Sequence, residues 1–95
     1  MKIELQCIIK GKVQDVMFRD FAQRKARSLD IVGIVKNQPD GSVEIISVGE
    51  QEDIQKFLVL LHKGPFLTRI KMRIESVEAK FNEPTKKFND FIIVY

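Results

Sequence analysis

The 95-residue sequence predicts an α+β domain with the ferredoxin-like, split βαβ architecture: an antiparallel sheet, two helices on one of its faces and an extra C-terminal strand. Three observations carry that expectation. Apolar residues alternate with a period of two in several short segments, they repeat at helical spacing in two others, and the two kinds follow the order β-α-β-β-α-β before a last strand. The length suits one domain over residues 1–95, and a 44% hydrophobic content is too apolar for intrinsic disorder.

The first strand is expected over residues 2–10, where Ile3, Leu5, Cys7 and Ile9 share one face. Cys7 then reads as a small core residue. In the next segment Phe18, Ala22, Ala26 and Leu29 repeat at helical spacing and stop before Asp30, with Arg24, Lys25 and Arg27 on the other face. The β-rich runs 31–37 and 42–48 flank Gln38-Pro39-Asp40-Gly41, a hairpin turn in which Pro fixes φ and Gly accepts positive φ. A second helix is expected from Glu50 to about Lys63, with Ile54, Phe57, Leu58 and Leu61 on its apolar stripe. Acids open it, His62 and Lys63 close it, and Gly64-Pro65 stops it. His62 lies off the stripe and reads as a surface residue. A long strand follows from Arg69 to Phe81, its inward set running Ile70, Met72, Ile74 and then Val77, Ala79, Phe81. The change of phase near Glu75-Ser76 predicts a bulge. Phe91, Ile93 and Tyr95 alternate in the last strand.

Composition narrows the function classes. One Cys and one His cannot build a structural zinc site or an internal disulfide, and no apolar run approaches the roughly 20 residues of a membrane-spanning helix. With no signal-peptide hydrophobic region at Met1-Lys2-Ile3-Glu4, the expectation is a soluble, reduced, cytoplasmic protein without metal or cofactor. The net charge of +3 is uneven. Residues 1–37 hold eight basic side chains against four acids, whereas residues 38–95 hold eight against nine, so an anionic partner is expected near the N-terminal segments.

The informative stretch is Gly11-Lys12-Val13-Gln14-Asp15-Val16-Met17-Phe18-Arg19, which joins the first strand to the first helix. A helix N-terminus gathers backbone N–H groups and the positive end of the helix dipole, and so suits an anion. Arg19 falls in the first turn, where a cation costs roughly 0.3–1 kcal/mol unless something negative compensates. It is either a solvated side chain beside Asp20 or an anion ligand. The spacing of Gly, Lys and Ser/Thr is not that of a Walker phosphate loop. Asn37, at the end of Gly33-Ile34-Val35-Lys36-Asn37, is either a turn residue bonded locally or an amide that holds a water.

Taken together, these segments resemble the acylphosphatases. The family pattern Gly-x-Val-Gln-Gly-Val-x-Phe-Arg corresponds to Gly11–Arg19. Ala-x-x-Leu-Gly-x-x-Gly-x-Val-x-Asn corresponds to Ala26–Asn37, and Asp-Gly-x-Val-Glu to Asp40–Glu44. Gly64-Pro65 and the terminal Phe91-Ile92-Ile93-Val94-Tyr95 also resemble family elements. The resemblance implies a metal-free hydrolase that cleaves acyl phosphates to a carboxylate and inorganic phosphate. By position it assigns phosphate binding to Arg19 and to the backbone of Lys12, Val13, Gln14, Asp15, Val16, Met17 and Phe18, and the orientation of the attacking water to Asn37. The implied partners are small acyl phosphates, phosphate and other anions, with no membrane or nucleic acid and a monomeric chain.

Three positions depart from that pattern: Asp15 and Asp30 replace glycines and Ile34 replaces a Trp. Asp30 stands where a helix ends in a left-handed residue, which Asp tolerates at a cost of about 1 kcal/mol. Asp15 lies inside the implied phosphate loop. A carboxylate about 6 Å from a phosphoryl group would weaken binding about 3-fold at a dielectric of 80 and about 100-fold at 20. A weakened anion-binding relative is therefore one alternative reading. A ferredoxin-like nucleic-acid or protein-binding domain is another, although run 42–48 carries no aromatic residue for stacking on RNA.

Overall fold

The computed structural model describes residues 1–13, 16–64 and 73–95. Its elements are β1 (Lys2–Lys12), α1 (Val16–Ser28), β2 (Val32–Asn37), β3 (Val43–Glu50), α2 (Gln51–Lys63), β4 (Arg73–Asn82) and β5 (Phe91–Val94). The five strands form one sheet in the order β4-β1-β3-β2-β5. Strands β4, β1, β3 and β2 pair antiparallel, as expected for the split βαβ arrangement. The fifth strand differs: β5 runs parallel to β2, from Gly33↔Phe91 to Lys36↔Val94, so the sheet is mixed. Alternation alone could not give the direction of β5, because a period of two is the same in either sense. Among the described residues no helix is long and apolar enough to cross a membrane.

Both helices cover the face of Leu5, Cys7 and Ile9, α1 lying against β2 and β5 and α2 against β1 and β3. Leu5, Cys7, Ile9, Phe18, Ala22, Ala26, Ile54, Phe57, Leu61 and Phe91 are fully buried in one core, where the Phe57 and Phe91 rings meet edge to face at 5.9 Å. Burial pushes the Cys7 thiol up to about 12, which leaves it a packing residue and no nucleophile. His62 is exposed, as expected.

The helix ends follow the local rules. Asp30 takes φ 55°, the left-handed conformation predicted for it. Its N–H donates to the Arg27 carbonyl and the Ile31 N–H to the Ala26 carbonyl, which is the Schellman pattern. In the hairpin, the Gly41 N–H donates to Gln38 O at 3.1 Å and Gly41 adopts φ 94°. The expected bulge is present. Lys10 faces Ser76 and Gly11 faces Ile74, which leaves Glu75 unopposed.

Two expectations for β4 need correction. Val77, Ala79 and Phe81 pair with Ile9, Cys7 and Leu5 and so lie on the helix side, but Ala79 is exposed and Phe81 is 47% exposed. The reason is position: β4 is the sheet edge, and the helices sit over the other strands. The part of that strand before Arg73, with Ile70 and Met72, lies outside the described residues, as does Pro65.

Two contacts tie β2 to its neighbours. At Gly33 (φ 148°) an added Cβ would collide with the Ile46 carbonyl of β3, and the Gly33 N–H donates to Asp90 O at 2.9 Å. Asp90 also accepts from Arg27 Nε at 3.2 Å and Nη2 at 2.8 Å, and from the Phe91 N–H at 2.7 Å. Gly33→Ala is expected to destabilise the fold by more than about 3 kcal/mol, outside the usual range for one substitution, whereas Asp30→Gly should stabilise it by about 0.5–1 kcal/mol. Denaturant unfolding checks both. The hydrogen bonds from Arg27 and the Phe91 N–H hold the Asp90 carboxyl below the usual value of 3.8. Because the folded value is the lower one, the stabilisation is complete above the ordinary carboxylate range and is lost as pH falls through the folded value. Unfolding curves of Asp90→Asn against the parent should therefore converge at acidic pH.

Candidate active site

Strand direction decides which residues can meet. β1 and β2 both run antiparallel to β3, and β5 runs parallel to β2, so the C-terminal ends of β1, β2 and β5 lie at one end of the sheet. Asn37 closes β2 there. Tyr95 follows β5, and Asn37 and Tyr95 each lie one residue beyond the Lys36–Val94 pair. The chain leaves β1 at the same end and enters α1, which places the helix N-terminus and Arg19 there as well.

The first turn of α1 contains no acid, so nothing on the helix itself cancels the positive end of its dipole. Arg19 is half-buried, and no ion pair joins it to Asp20 among the described residues. Its guanidinium carbon instead lies 5.1 Å from the centroid of the Tyr95 ring. Arg27, two turns further along α1, is spent differently: both of its contacts go to the Asp90 carboxylate. Of these two arginines, Arg19 is the one without a carboxylate partner among the described residues.

Alternation in β2 buries Val35, exposes Lys36 and returns Asn37 to the helix side, half-buried. The local turn bond expected of an Asn here is made by another residue. Asp40 accepts from the Ser42 N–H at 2.9 Å and the Ser42 hydroxyl at 2.6 Å, and these bonds lower its carboxyl below the usual range. Arg19 Nε and Asn37 Oδ1 are buried and have no hydrogen-bond partner among the described residues. Such groups are uncommon in folded proteins, and a buried polar atom left unsatisfied costs about 1–3 kcal/mol. Here a donor and an acceptor stand unsatisfied at the same end of the sheet.

Of the expected loop, Lys12 is exposed at the end of β1, Val13 is buried, and Met17 and Phe18 lie in the first turn of α1 with Phe18 in the core. Gln14 and Asp15 lie outside the described residues, and of Val16 only its place at the start of α1 is described. Tyr95 is the residue that sequence reasoning missed as a member of this site. Its phase with Phe91 and Ile93 was visible, but its place beside Asn37 needs the parallel pairing of β5. A cavity lined by Met1, Glu50, Gln51, Glu52, Asp53 and Gln55 lies at the opposite end of the sheet. Glu50, Glu52 and Asp53 make it acidic, and the Glu50 carboxylate pairs with the Met1 ammonium at 2.8 Å, so it is unsuited to a phosphate.

The family model described as Acylphosphatase matches residues 5–93. The Acylphosphatase of Leuconostoc mesenteroides is 48% identical over 84 residues, covering 87% of this chain and 88% of that one. That of Archaeoglobus fulgidus is 41% identical over 93 residues, covering 98% and 99%. The crystal structure of acylphosphatase from Bacillus subtilis superposes with a TM-score of 0.87 at 31% identity, over 98% of this chain and 99% of that one. With a family model over residues 5–93, relatives 41% and 48% identical over most of both chains and a superposable crystal structure, the chain belongs to the acylphosphatase family.

Proposed function

We propose that this chain hydrolyses the carboxyl-phosphate bond of acyl phosphates with Arg19 as the phosphate ligand and Asn37 as the residue that orients the attacking water. The observation that carries the assignment is the pair of buried unsatisfied atoms, a donor at Arg19 Nε and an acceptor at Asn37 Oδ1, at the end of the sheet where α1 begins. Each has the polarity its role requires. The guanidinium N–H groups donate to phosphoryl oxygens, and Oδ1 accepts from a water O–H and turns the water's lone pair toward phosphorus. Backbone N–H groups from Lys12 to Phe18 complete the cradle at the helix N-terminus.

The chemistry asks little more of the protein. Water oxygen bonds to phosphorus as the bond between phosphorus and the acyl oxygen breaks, and the electron pair leaves with the carboxylate. Phosphoryl transfer depends on positioning and on neutralising the equatorial oxygens, which an arginine fork and converging amides supply. A carboxylate is a good leaving group, so the reaction has no need of a His or Cys base. In this reading the enzyme works without metal or cofactor, as a cytoplasmic monomer on small acyl phosphates and with affinity for phosphate and other anions, and nucleic acid is not its ligand.

With benzoyl or acetyl phosphate and a chelator present, the parent chain is expected to release phosphate. Arg19→Ala should lose about 10³-fold or more in kcat/KM, in the range for removing an arginine that stabilises a transferring phosphoryl group. Asn37→Ala should lose about 10²-fold or more, comparable with other preorganised polar groups. Folded parent protein without activity above background would overturn the assignment. Asp15→Gly removes a negative charge from the proposed cradle and should raise kcat/KM by about 3- to 100-fold, the Coulomb range at about 6 Å. An unchanged or lower value would mean that this carboxylate does not oppose the substrate.

A further inference from the structure

We infer that Tyr95 is a positioning residue for this reaction, its ring holding the Arg19 guanidinium in place while leaving the guanidinium's donors to the phosphoryl group. The inference rests on the role proposed for Arg19. A phosphate-binding arginine faces two conflicting demands. Its long side chain has to be held in one conformation, yet any carboxylate that holds it takes up donors and cancels the charge the substrate needs.

The two partnered arginines of α1 illustrate both solutions. Arg27 is fixed by the Asp90 carboxylate through Nε and Nη2, and its charge is consumed. Arg19 is fixed by a π face, with its guanidinium carbon 5.1 Å from the Tyr95 centroid, inside the roughly 6 Å limit for cation–π attraction. The ring attracts the cation through its quadrupole and accepts no directed hydrogen bond from the edge of the fork. Arg19 Nε accordingly stays without a partner. The strand phase that aims Phe91 and Ile93 into the core brings Tyr95 to the helix side, one residue past the last β2–β5 pair. There it is 94% exposed, so the core does not depend on it.

The test compares Tyr95→Phe, Tyr95→Leu and Tyr95→Ala in the full chain. It reads the Kd of inorganic phosphate by calorimetry at low ionic strength and kcat and KM with acetyl phosphate, whose acyl group has no ring of its own to stack. Tyr95→Phe should stay within about 2-fold of the parent, because the π face is kept. Tyr95→Leu and Tyr95→Ala should weaken phosphate binding roughly 2- to 5-fold and lower kcat/KM at least as much, with unchanged Tm. In an Arg19→Ala background, Tyr95→Leu should have no further effect on phosphate binding. If Tyr95→Leu binds phosphate as the parent does, or Tyr95→Phe behaves like Tyr95→Ala, the inference is wrong while the role of Arg19 stands. If Arg19→Ala binds phosphate as tightly as the parent, the role of Arg19 fails and the inference fails with it.

Discussion

The direction of β2 is the constraint on which the rest of this end of the molecule depends. Because β2 and β1 are both antiparallel to β3, the exit of β1 and the end of β2 face the same way, and because β5 is parallel to β2, Tyr95 arrives beside Asn37. Gly33 secures that direction from both sides. It lets β2 approach the Ile46 carbonyl of β3 more closely than any Cβ would allow, and its N–H reaches the Asp90 carbonyl at the start of β5. Asp90 in turn receives Arg27 from α1, so one short segment fixes the sheet, the last strand and the first helix relative to one another. Gln23 of the same helix adds a bond from Nε2 to Phe91 O at 3.0 Å.

The electrostatics follow from this arrangement. At one end of the sheet, a helix N-terminus and Arg19 present positive charge and half-buried polar groups. At the other, Glu50, Glu52 and Asp53 gather around the start of α2, where they complement its dipole. Of the eight basic residues in 1–37, Lys10, Lys12, Arg19 and Lys36 lie toward the positive end, whereas Lys2 opens β1 opposite Glu50 and Arg24, Lys25 and Arg27 fall in the later turns of α1. Of the two arginines with partners on α1, the one facing a carboxylate serves the fold and the one facing an aromatic ring remains able to serve a ligand.

Most of the fold was legible because the patterns were local. Leu5, Cys7 and Ile9 alternate, Phe18, Ala22 and Ala26 repeat at helical spacing, and Asp30 and Gly41 stand where the backbone turns left-handed, so elements and their buried faces could be placed from neighbouring residues alone. What was hidden depends on non-local pairing. Ala79 and Phe81 have the pattern of core residues and the correct face, yet remain exposed because β4 is an edge. The parallel direction of β5, and with it the place of Tyr95, leaves no trace in a period of two. Arg19 could be singled out as a cation at the wrong end of a helix. Its partner could not be named, since the two lie far apart in the chain.

The central claim is that a phosphoryl group is held between Arg19 and Asn37 at the end of the sheet where α1 begins. Its most direct test is an NMR titration of the isotope-labelled chain with inorganic phosphate, following side-chain and backbone N–H resonances. Saturable shifts are expected for the Arg19 Nε–H, the Asn37 side-chain amide and the backbone amides between Lys12 and Arg19, with residues 50–55 of the acidic end unmoved. Saturable shifts that spare Arg19 and Asn37, or that gather elsewhere on the sheet, would contradict it.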